Sequence, residues 1–230
     1  MLAVTIPDWV EPVARYIFEV GIPNTLRIAA ISLVAATTIG VLLGTLLTIR
    51  FLPSRALIRL YIEVWRGLPI LVTVFMIYLA LPAFTLRLEF KPLTAAAIGL
   101  SLWGSAQIAE ATRGAIQSIP REQHEAAAAL GFGWVGRHAF VILPQALRRL
   151  LPPLVSLLVN IIQNTTIAQV IGAPEVLETA ERSVERIASE PPAGTGEIHA
   201  FEIYGAVMVV FFLISFPLTR LAAYLERRLV

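Results

Sequence analysis

Between Ile28 and Ile49 the chain reads IAAISLVAATTIGVLLGTLLTI, which is 22 residues without a single Asp, Glu, Lys or Arg. A helix rises 1.5 Å per residue, so this stretch reaches about 33 Å and matches the ~30 Å hydrocarbon core of a bilayer. Four further runs also lack these residues: Gly67 to Leu86, Pro92 to Ala109, Leu150 to Pro174 and Ile203 to Thr219. We therefore predict an all-α membrane protein of about five transmembrane helices, over residues of about 24–49, 62–84, 92–113, 150–171 and 202–220.

The composition supports a single membrane domain. Hydrophobic residues make up 57% of the chain and charged residues 15%, and the mean hydropathy is +0.76. A soluble domain is roughly 45–50% apolar and about 25% charged, so these few charges cannot cover a water-soluble surface. The chain has no Cys, which excludes disulfides and thiol chemistry. It also lacks the basic stripe with aromatic residues that a nucleic-acid-binding protein needs.

The distribution of basic residues predicts the orientation. Cytoplasmic segments of membrane proteins are enriched in Lys and Arg. If the C-terminus is cytoplasmic, the inside segments hold 12 of the 18 Lys and Arg residues and the outside segments hold 6. We therefore expect an external N-terminus, with residues 1–23 as a short helix at the external membrane surface. An acidic external segment is expected over about 174–201, helical up to about Ser189 and flexible over 190–197.

The long connection between the third and fourth spans, residues of about 119–144, carries most of the functional information. It begins IPREQHEAAAALGFG, and it is predicted to lie in the cytoplasm. Pro120 can start a helix, and the Ala- and Glu-rich stretch from Arg121 to Leu130 can continue it. Gly131 with Gly133 is expected to end this helix, and a second helix is expected to run until Pro144.

This connection resembles the Glu-Ala-Ala signature of permease subunits in ATP-binding-cassette (ABC) importers. In that signature Glu-Ala-Ala is followed by Gly after three residues and by Ile-x-Leu-Pro after nine more. The chain has EAAAALGFGWVGRHAFVILP, in which Val141 replaces the Ile. The matching positions are Glu125, Ala126, Ala127, Gly131, Leu143 and Pro144. The alternative is an Ala-rich loop helix that only connects two spans, which leaves the spacing of Gly131 and Pro144 unexplained.

The resemblance implies a fold, a mechanism and partners. It implies the type I ABC importer permease fold over residues 24–230, in a bacterial inner membrane. The loop helix would be the coupling helix that docks on a separate ATPase, with small residues Ala126 and Ala127 seating it in a groove of that protein. Partners would be two ATPase subunits, a second permease subunit that is identical or homologous, and an external solute-binding protein. No cofactor is expected on this chain, since no GxxxxGK[ST] sequence is present. ATP and Mg would be bound by the partner ATPase.

Further segments are similar to polar amino acid permeases of this family. They include GIPNTLRIAAISLVAATTIGVLLGTLL, RGLPILVTVF, AEATRGAIQSIP and QNTTIAQVIGAPEVL. The last resembles a stretch that reads Lys-Asp-Thr-Ser-Leu in the family, and here Gln163 and Asn164 occupy the Lys and Asp positions. The neutral pair makes a basic amino acid a less favoured cargo.

Polar residues within the predicted spans are the candidates for the substrate pathway. Polar side chains in hydrocarbon are costly and usually face a bundle interior or a wet cavity. The candidates on the fourth span are Asn160, Gln163, Asn164, Thr165 and Thr166, and those near other span ends are Gln107, Glu110 and Arg66. As alternatives, the fourth-span residues hold helices together, Arg66 anchors a helix at the interface, and Glu110 pairs with Arg113. The three His residues have no metal-ligand spacing, so no metal site is expected.

Three rival functions remain. The same transporter class could carry an osmolyte of the glycine betaine type. An intramembrane enzyme would need a constellation such as G-x-S-x-G or HExxH, and neither occurs, so no catalytic residue is assigned. A channel or secondary transporter would be expected to have inverted repeats or a buried acidic relay instead of a docking loop.

Overall fold

A computed structural model describes residues 7–49, 52–84, 89–189 and 198–229. All regular structure in these residues is helical, which confirms the predicted all-α class. Eight helices lie within the described ranges: α1 Val10–Leu46, α2 Leu52–Gly67, α3 Ile70–Phe84, α4 Pro92–Gln117, α5 Arg121–Ala129, α6 Trp134–Ile171, α7 Val176–Ser189 and α8 Ala200–Leu229.

Three prolines of the long helices each follow a π turn. The ring of a proline collides with the carbonyl four residues earlier in a regular helix, and a wider π turn relieves this crowding. The described helices have such turns at Ile17–Gly21, Met76–Ala80 and His138–Ile142, and each ends two residues before Pro23, Pro82 or Pro144. In the last case the N–H of Leu143 bonds to the carbonyl of His138. The prediction that the second loop helix ends at Pro144 is therefore wrong, because α6 continues to Ile171.

Three helices, α1, α6 and α8, are long and apolar enough to cross a membrane. A fourth candidate is the pair formed by Arg55–Gly67 and Ile70–Phe84, which is bent by 104°. Pro69 has an extended backbone at this bend, with φ −61° and ψ 131°. The predicted span over 62–84 is thus a bent pair of helices and not one straight helix. Helix α4, with 26 residues, also has the length to cross.

The predicted external segments correspond to two helices. α1 begins at Val10 and runs without a break through the predicted boundary at residue 23, so the described part of the N-terminal segment extends the first span. The helix predicted up to about Ser189 is confirmed as α7, Val176–Ser189. Residues 1–6 and the predicted flexible stretch 190–197 lie outside the described residues.

Close contact between α1 and α4 forms the centre of the bundle. A Cβ atom built on Gly40 would lie 2.6 Å from Cβ of Ile108, and one on Gly44 would lie 2.4 Å from the carbonyl oxygen of Ala109. Small residues at such positions let two helix backbones approach closely. The Ser32 hydroxyl adds a bond across the contact by donating to the Ala97 carbonyl at 3.1 Å. The apolar core continues from this seam to α6 through buried residues that include Leu100, Leu157 and Ile161.

The beginning of helix α7 is fixed to the first half of α1 by polar contacts. The Asn24 side-chain amide donates to the Pro174 carbonyl at 2.9 Å. The backbone N–H of Val176 donates to the Thr25 hydroxyl at 3.2 Å. These bonds satisfy backbone groups at the beginning of α7, which would otherwise be unpaired.

A buried carboxyl completes the beginning of α7. Glu175 is 0% exposed, and its Oε1 accepts the backbone N–H of Glu178 at 2.9 Å, while its Oε2 is buried with no hydrogen-bond partner. Burial raises the pKa of Glu175 from 4.5 to about 7. The nearby Glu178 carboxylate acts in the same direction, although Glu178 itself pairs with Arg182.

The close contact between α1 and α4 at Gly44 leads to a prediction about stability. Gly44→Ala should lower the stability of the folded chain by about 1–3 kcal/mol, because the added methyl group overlaps the α4 backbone. Gly114→Ala on α4 is the matched control, since nothing lies within 4 Å of its Cβ position. The melting temperatures of the two variants in detergent, each compared with the parent chain, provide the test. Equal effects of the two changes would contradict close packing at Gly44.

Glu175 generates a pH prediction. A carboxyl whose pKa is raised to about 7 in the fold and is near 4.5 when unfolded contributes stability below pH 4.5 that is lost as the pH rises through 7. Glu175→Gln keeps an acceptor for the Glu178 N–H and carries no titratable group. The variant should therefore melt higher than the parent at pH 8, by an amount equivalent to roughly 3 kcal/mol, and should lose most of this advantage at pH 4.5. If the melting temperature of Glu175→Gln exceeds that of the parent by the same amount at both pH values, the pKa of Glu175 is not raised in the fold.

Candidate functional site

The loop between α4 and α6 folds into a short helix with a defined stop. The backbone N–H of Phe132 bonds to the Ala127 carbonyl at 3.1 Å, and that of Gly131 bonds to the Ala128 carbonyl at 2.9 Å. This pair of bonds is the Schellman ending of a helix, which requires a left-handed residue directly after the helix cap. Gly131 has φ +81° and supplies it. Gly133 has φ −65°, so the predicted break depends on Gly131 alone.

The signature residues on α5 point in different directions. Glu125 is exposed and pairs with Arg121, with 2.7 Å between Oε1 and Nε. Ala126 is exposed, whereas Ala127 is 2% exposed. A side chain that is buried within its own chain offers no surface to a partner, and this holds for Ala127. The prediction that Ala126 and Ala127 together seat the helix in another protein therefore needs correction: Ala127 packs within this chain, and Ala126 remains available.

Large apolar side chains surround the stop of α5. Leu130 is 79% exposed, Val135 is 72% exposed and Phe140 is 73% exposed. Adjacent exposed apolar residues of this size mark an interaction surface. We call the face formed by Glu125, Ala126, Leu130 and Val135 the docking face.

The helices beside the docking face are joined to one another by hydrogen bonds. At the start of α6, the His138 ring lies 3.3 Å from the Thr48 hydroxyl, just after the end of α1. Further along α6, Arg149 donates to the carbonyl and hydroxyl oxygens of Ser118, just after the end of α4, at 2.7 and 2.8 Å. Leu143 is half-buried and Pro144 is exposed where α6 leaves its π turn. Helix α6 is therefore bonded to the segments that follow both α1 and α4.

A second feature is the polar side of α6. Asn160 and Gln163 are exposed, and Asn164 is half-buried on the same side. The Asn164 amide donates to the Asn160 carbonyl at 2.7 Å. Thr166 donates to the Gln163 carbonyl at 2.8 Å. Thr165 differs from the others because it is 0% exposed and its hydroxyl bonds to the Ile162 carbonyl.

The structure brings two of the predicted pathway residues together. Gln107 of α4 and Asn160 of α6 line one cavity of about 330 Å³. Trp103 and Ser156 also line it, and neither was singled out in the sequence because single Trp and Ser residues are ordinary in an apolar helix. We call this space the α4–α6 cavity. Two side-chain amides and a hydroxyl offer neutral donors and acceptors in an otherwise apolar setting.

Two further candidates lie apart from this cavity. Glu110 forms a salt bridge with Arg113, whose Nε donates to Oε2 at 3.1 Å, as the alternative interpretation predicted. Arg66 is exposed near the bend between α2 and α3, and the described residues offer it no ion pair. Neither side chain lines the α4–α6 cavity.

Comparisons with known proteins agree with this architecture. A family model described as "Binding-protein-dependent transport system inner membrane component" matches residues 36–230. The glutamine transport system permease protein GlnP of Escherichia coli K12 is 35% identical over 224 residues, which cover 96% of this chain and 97% of that protein. A probable glutamine ABC transporter permease protein, GlnP of Bacillus subtilis, is 33% identical over 209 residues and covers 90% and 91%.

Solved structures have the same fold. A structure described as an amino acid ABC transporter with histidines has a TM-score of 0.79 and 26% identity, and the match covers 97% of this chain and 100% of that one. An inward-facing MetNI methionine ABC transporter has a TM-score of 0.74 at 18% identity. The predicted importer-permease fold is therefore confirmed. The chain belongs to the binding-protein-dependent transport family, as a multi-pass inner membrane permease subunit of an ABC transporter.

Proposed function

We propose that the chain is the membrane subunit of an ATP-driven importer and forms part of the translocation path for a neutral polar amino acid. The observation that carries the proposal is the α4–α6 loop, where a helix with the Glu-Ala-Ala spacing ends in an exposed apolar surface. Its exposed residues would make little sense on a loop that only connects two spans.

The docking face suits a partner ATPase. The exposed Leu130 and Val135 would bury apolar area in a groove, and exposed Glu125 can accept hydrogen bonds from a basic group at the rim. Because His138 and Arg149 of α6 bond to Thr48 and Ser118, which follow α1 and α4, closure of the ATPase against the loop would move these helices together. ATP and Mg would be bound by the ATPase alone.

The α4–α6 cavity favours a neutral cargo. The amide groups of Gln107 and Asn160 can hydrogen-bond the polar groups of an amino acid, and the described residues that line this cavity include no Asp or Glu. Glu110 is paired with Arg113, so it offers no free carboxylate to a cationic side chain. Several relatives are described as glutamine permeases, which fits the same chemistry. A quaternary ammonium osmolyte is favoured less, because such ligands are held in aromatic cages and Trp103 is the one aromatic residue at this cavity.

The polar side of α6 calls for a second permease subunit. Asn160 and Gln163 are exposed in the single chain, and exposure of both to lipid would be costly. A second copy or a homologous subunit facing this side would enclose a polar path between the two. The complete importer would then contain two permeases, two ATPases and an external solute-binding protein. In this arrangement the N-terminus of the chain is external and its C-terminus is cytoplasmic.

Uptake into proteoliposomes tests the cargo. The chain, its ATPase and its binding protein should accumulate labelled glutamine or a similar neutral amino acid when ATP is supplied to the ATPase side. Asn160→Ala and Gln107→Ala should each reduce uptake at least tenfold and leave ATPase association intact, because each loses a buried hydrogen bond to the cargo. Thr38→Ala on α1 serves as the control, because the Thr38 hydroxyl bonds to the Val34 carbonyl of its own helix and Thr38 does not line the cavity. Preferred uptake of glycine betaine or arginine would contradict the proposal that the cargo is a neutral polar amino acid.

Paired glycine substitutions test the coupling. Gly131→Ala should reduce ATP-driven uptake several-fold, because a left-handed residue with a Cβ costs about 1–2 kcal/mol and weakens the stop of α5. Gly133→Ala is the matched control, since its φ of −65° suits alanine and nothing lies within 4 Å of its Cβ position. Gly131→Pro should abolish uptake, because proline also removes the N–H that bonds to Ala128. Normal uptake by Gly131→Pro in a folded complex would exclude the coupling role of this loop.

A further inference from the structure

A second cavity lies at the base of the segment of about 119–144 that carries the docking face. We call this segment the docking loop. The cavity has a volume of about 660 Å³ and is bounded by the end of α1, by α2, by the end of α4, and by α5 and the start of α6. Its polar lining residues include Arg55, Gln117, His124, Arg137 and His138. We call it the basal cavity. It is separate from the α4–α6 cavity, and the two have no lining residue in common.

The basal cavity contains positive charge without a matching negative charge. No Asp or Glu is present among the described residues that line it. Arg137 has its Nε buried with no hydrogen-bond partner, and its Nη1 makes one long bond of 3.4 Å to the His124 carbonyl. A guanidinium has five N–H donors, so most of the hydrogen-bonding capacity of Arg137 is unused.

The other lining groups also provide donors. Arg55 is exposed on α2 and forms no ion pair with any described residue. The side-chain oxygen of Gln117 already accepts a hydrogen bond from Arg113 at 2.7 Å, which leaves its amide N–H groups to donate. Burial lowers the pKa of His124, and the positive charge of Arg137 lowers it further, so the histidine adds no third charge at neutral pH. Two arginines and an amide without an acceptor are the donor set of an anion site.

The surroundings suggest which anion is available. The chain just after α1 borders this cavity with Leu47, the last core residue of a charge-free run that stops at Ile49. Helix α2 beside it has Ile62 buried, whereas Leu57 and Leu60 are 70% and 60% exposed. An amphipathic helix with arginines and exposed leucines is typical of the membrane interface. The basal cavity therefore lies where the headgroups of anionic lipids are found, and basic pockets between helices at that depth hold lipid phosphates.

We propose that the basal cavity binds a phosphate group, held by Arg55, Arg137 and Gln117. The phosphate is carried by the headgroup of an anionic lipid or by a soluble phosphate compound. Because the cavity includes both Thr48 of α1 and His138 of α6, an anion there would hold the docking loop against the bundle. This inference concerns the chain itself and does not depend on the identity of the transported cargo.

Lipid binding to the full-length chain, purified in a neutral detergent with the subunits that copurify, tests the proposal. The probes are dioctanoyl phosphatidylglycerol and dioctanoyl phosphatidylcholine, titrated with thermal unfolding as the readout. Phosphatidylglycerol should bind more tightly, and Arg55→Gln and Arg137→Gln should each weaken it roughly fivefold, since a basic residue near an anionic headgroup contributes about that factor. Arg59→Gln is the matched control, because Arg59 lies one turn from Arg55 on α2 and does not line the cavity.

Adding inorganic phosphate at constant ionic strength distinguishes a lipid headgroup from a soluble phosphate compound as the source of the phosphate group. Competition with phosphatidylglycerol at millimolar concentration would indicate a site for soluble phosphate compounds, and no competition would indicate a lipid site; each result supports a phosphate in the cavity. Equal weakening by Arg59→Gln and by the two cavity variants would reduce the effect to general surface charge and overturn the proposal. Unchanged lipid binding combined with weaker ATPase association would also overturn it, because the cavity would then receive an acidic side chain of the ATPase.

Discussion

The close approach of α1 to α4 at Gly40 and Gly44 is the contact on which the rest of the arrangement depends. Water drives soluble helices together, but lipid is as apolar as a leucine side chain and provides no such force. Helices in a membrane are held by tight packing and by a few hydrogen bonds, such as that from Ser32 to Ala97. With α1 and α4 in contact, α4 can also pack against α6, and the α4–α6 cavity is formed on that side.

The two ends of the bundle are joined in different ways. At one end, Asn24 and Thr25 of α1 bond to the segment that starts α7, where the Glu175 carboxyl is buried. At the other end, His138 and Arg149 of α6 bond to Thr48 and Ser118, which follow α1 and α4. Because α1 takes part in both joints, the docking loop and α7 are connected through one continuous helix.

The fold class and the docking loop could be predicted because both depend on local sequence. Runs without charged residues indicate membrane spans, and the fixed spacing from Glu125 to Pro144 indicates the family. The bend at Pro69 and the continuation of α6 past Pro144 could not be predicted, because a proline is compatible with a helix end, a kink or a π turn, and packing decides among them. The orphan Nε of Arg137 and the burial of Glu175 arise from tertiary contacts that leave no pattern in the sequence.

The π turn before Pro144 has a geometric consequence for the whole of α6. A π turn contains one more residue than an α turn, so the helix on either side is offset by one position, about 100° around the axis. Residues of α6 before and after the turn therefore do not follow one heptad pattern. His138 lies inside this turn, whereas Asn160 lies on the part of α6 that follows it. Side chains on the two parts of α6 therefore follow two separate registers along one continuous helix, and a face drawn straight along the first part does not continue as the same face on the second.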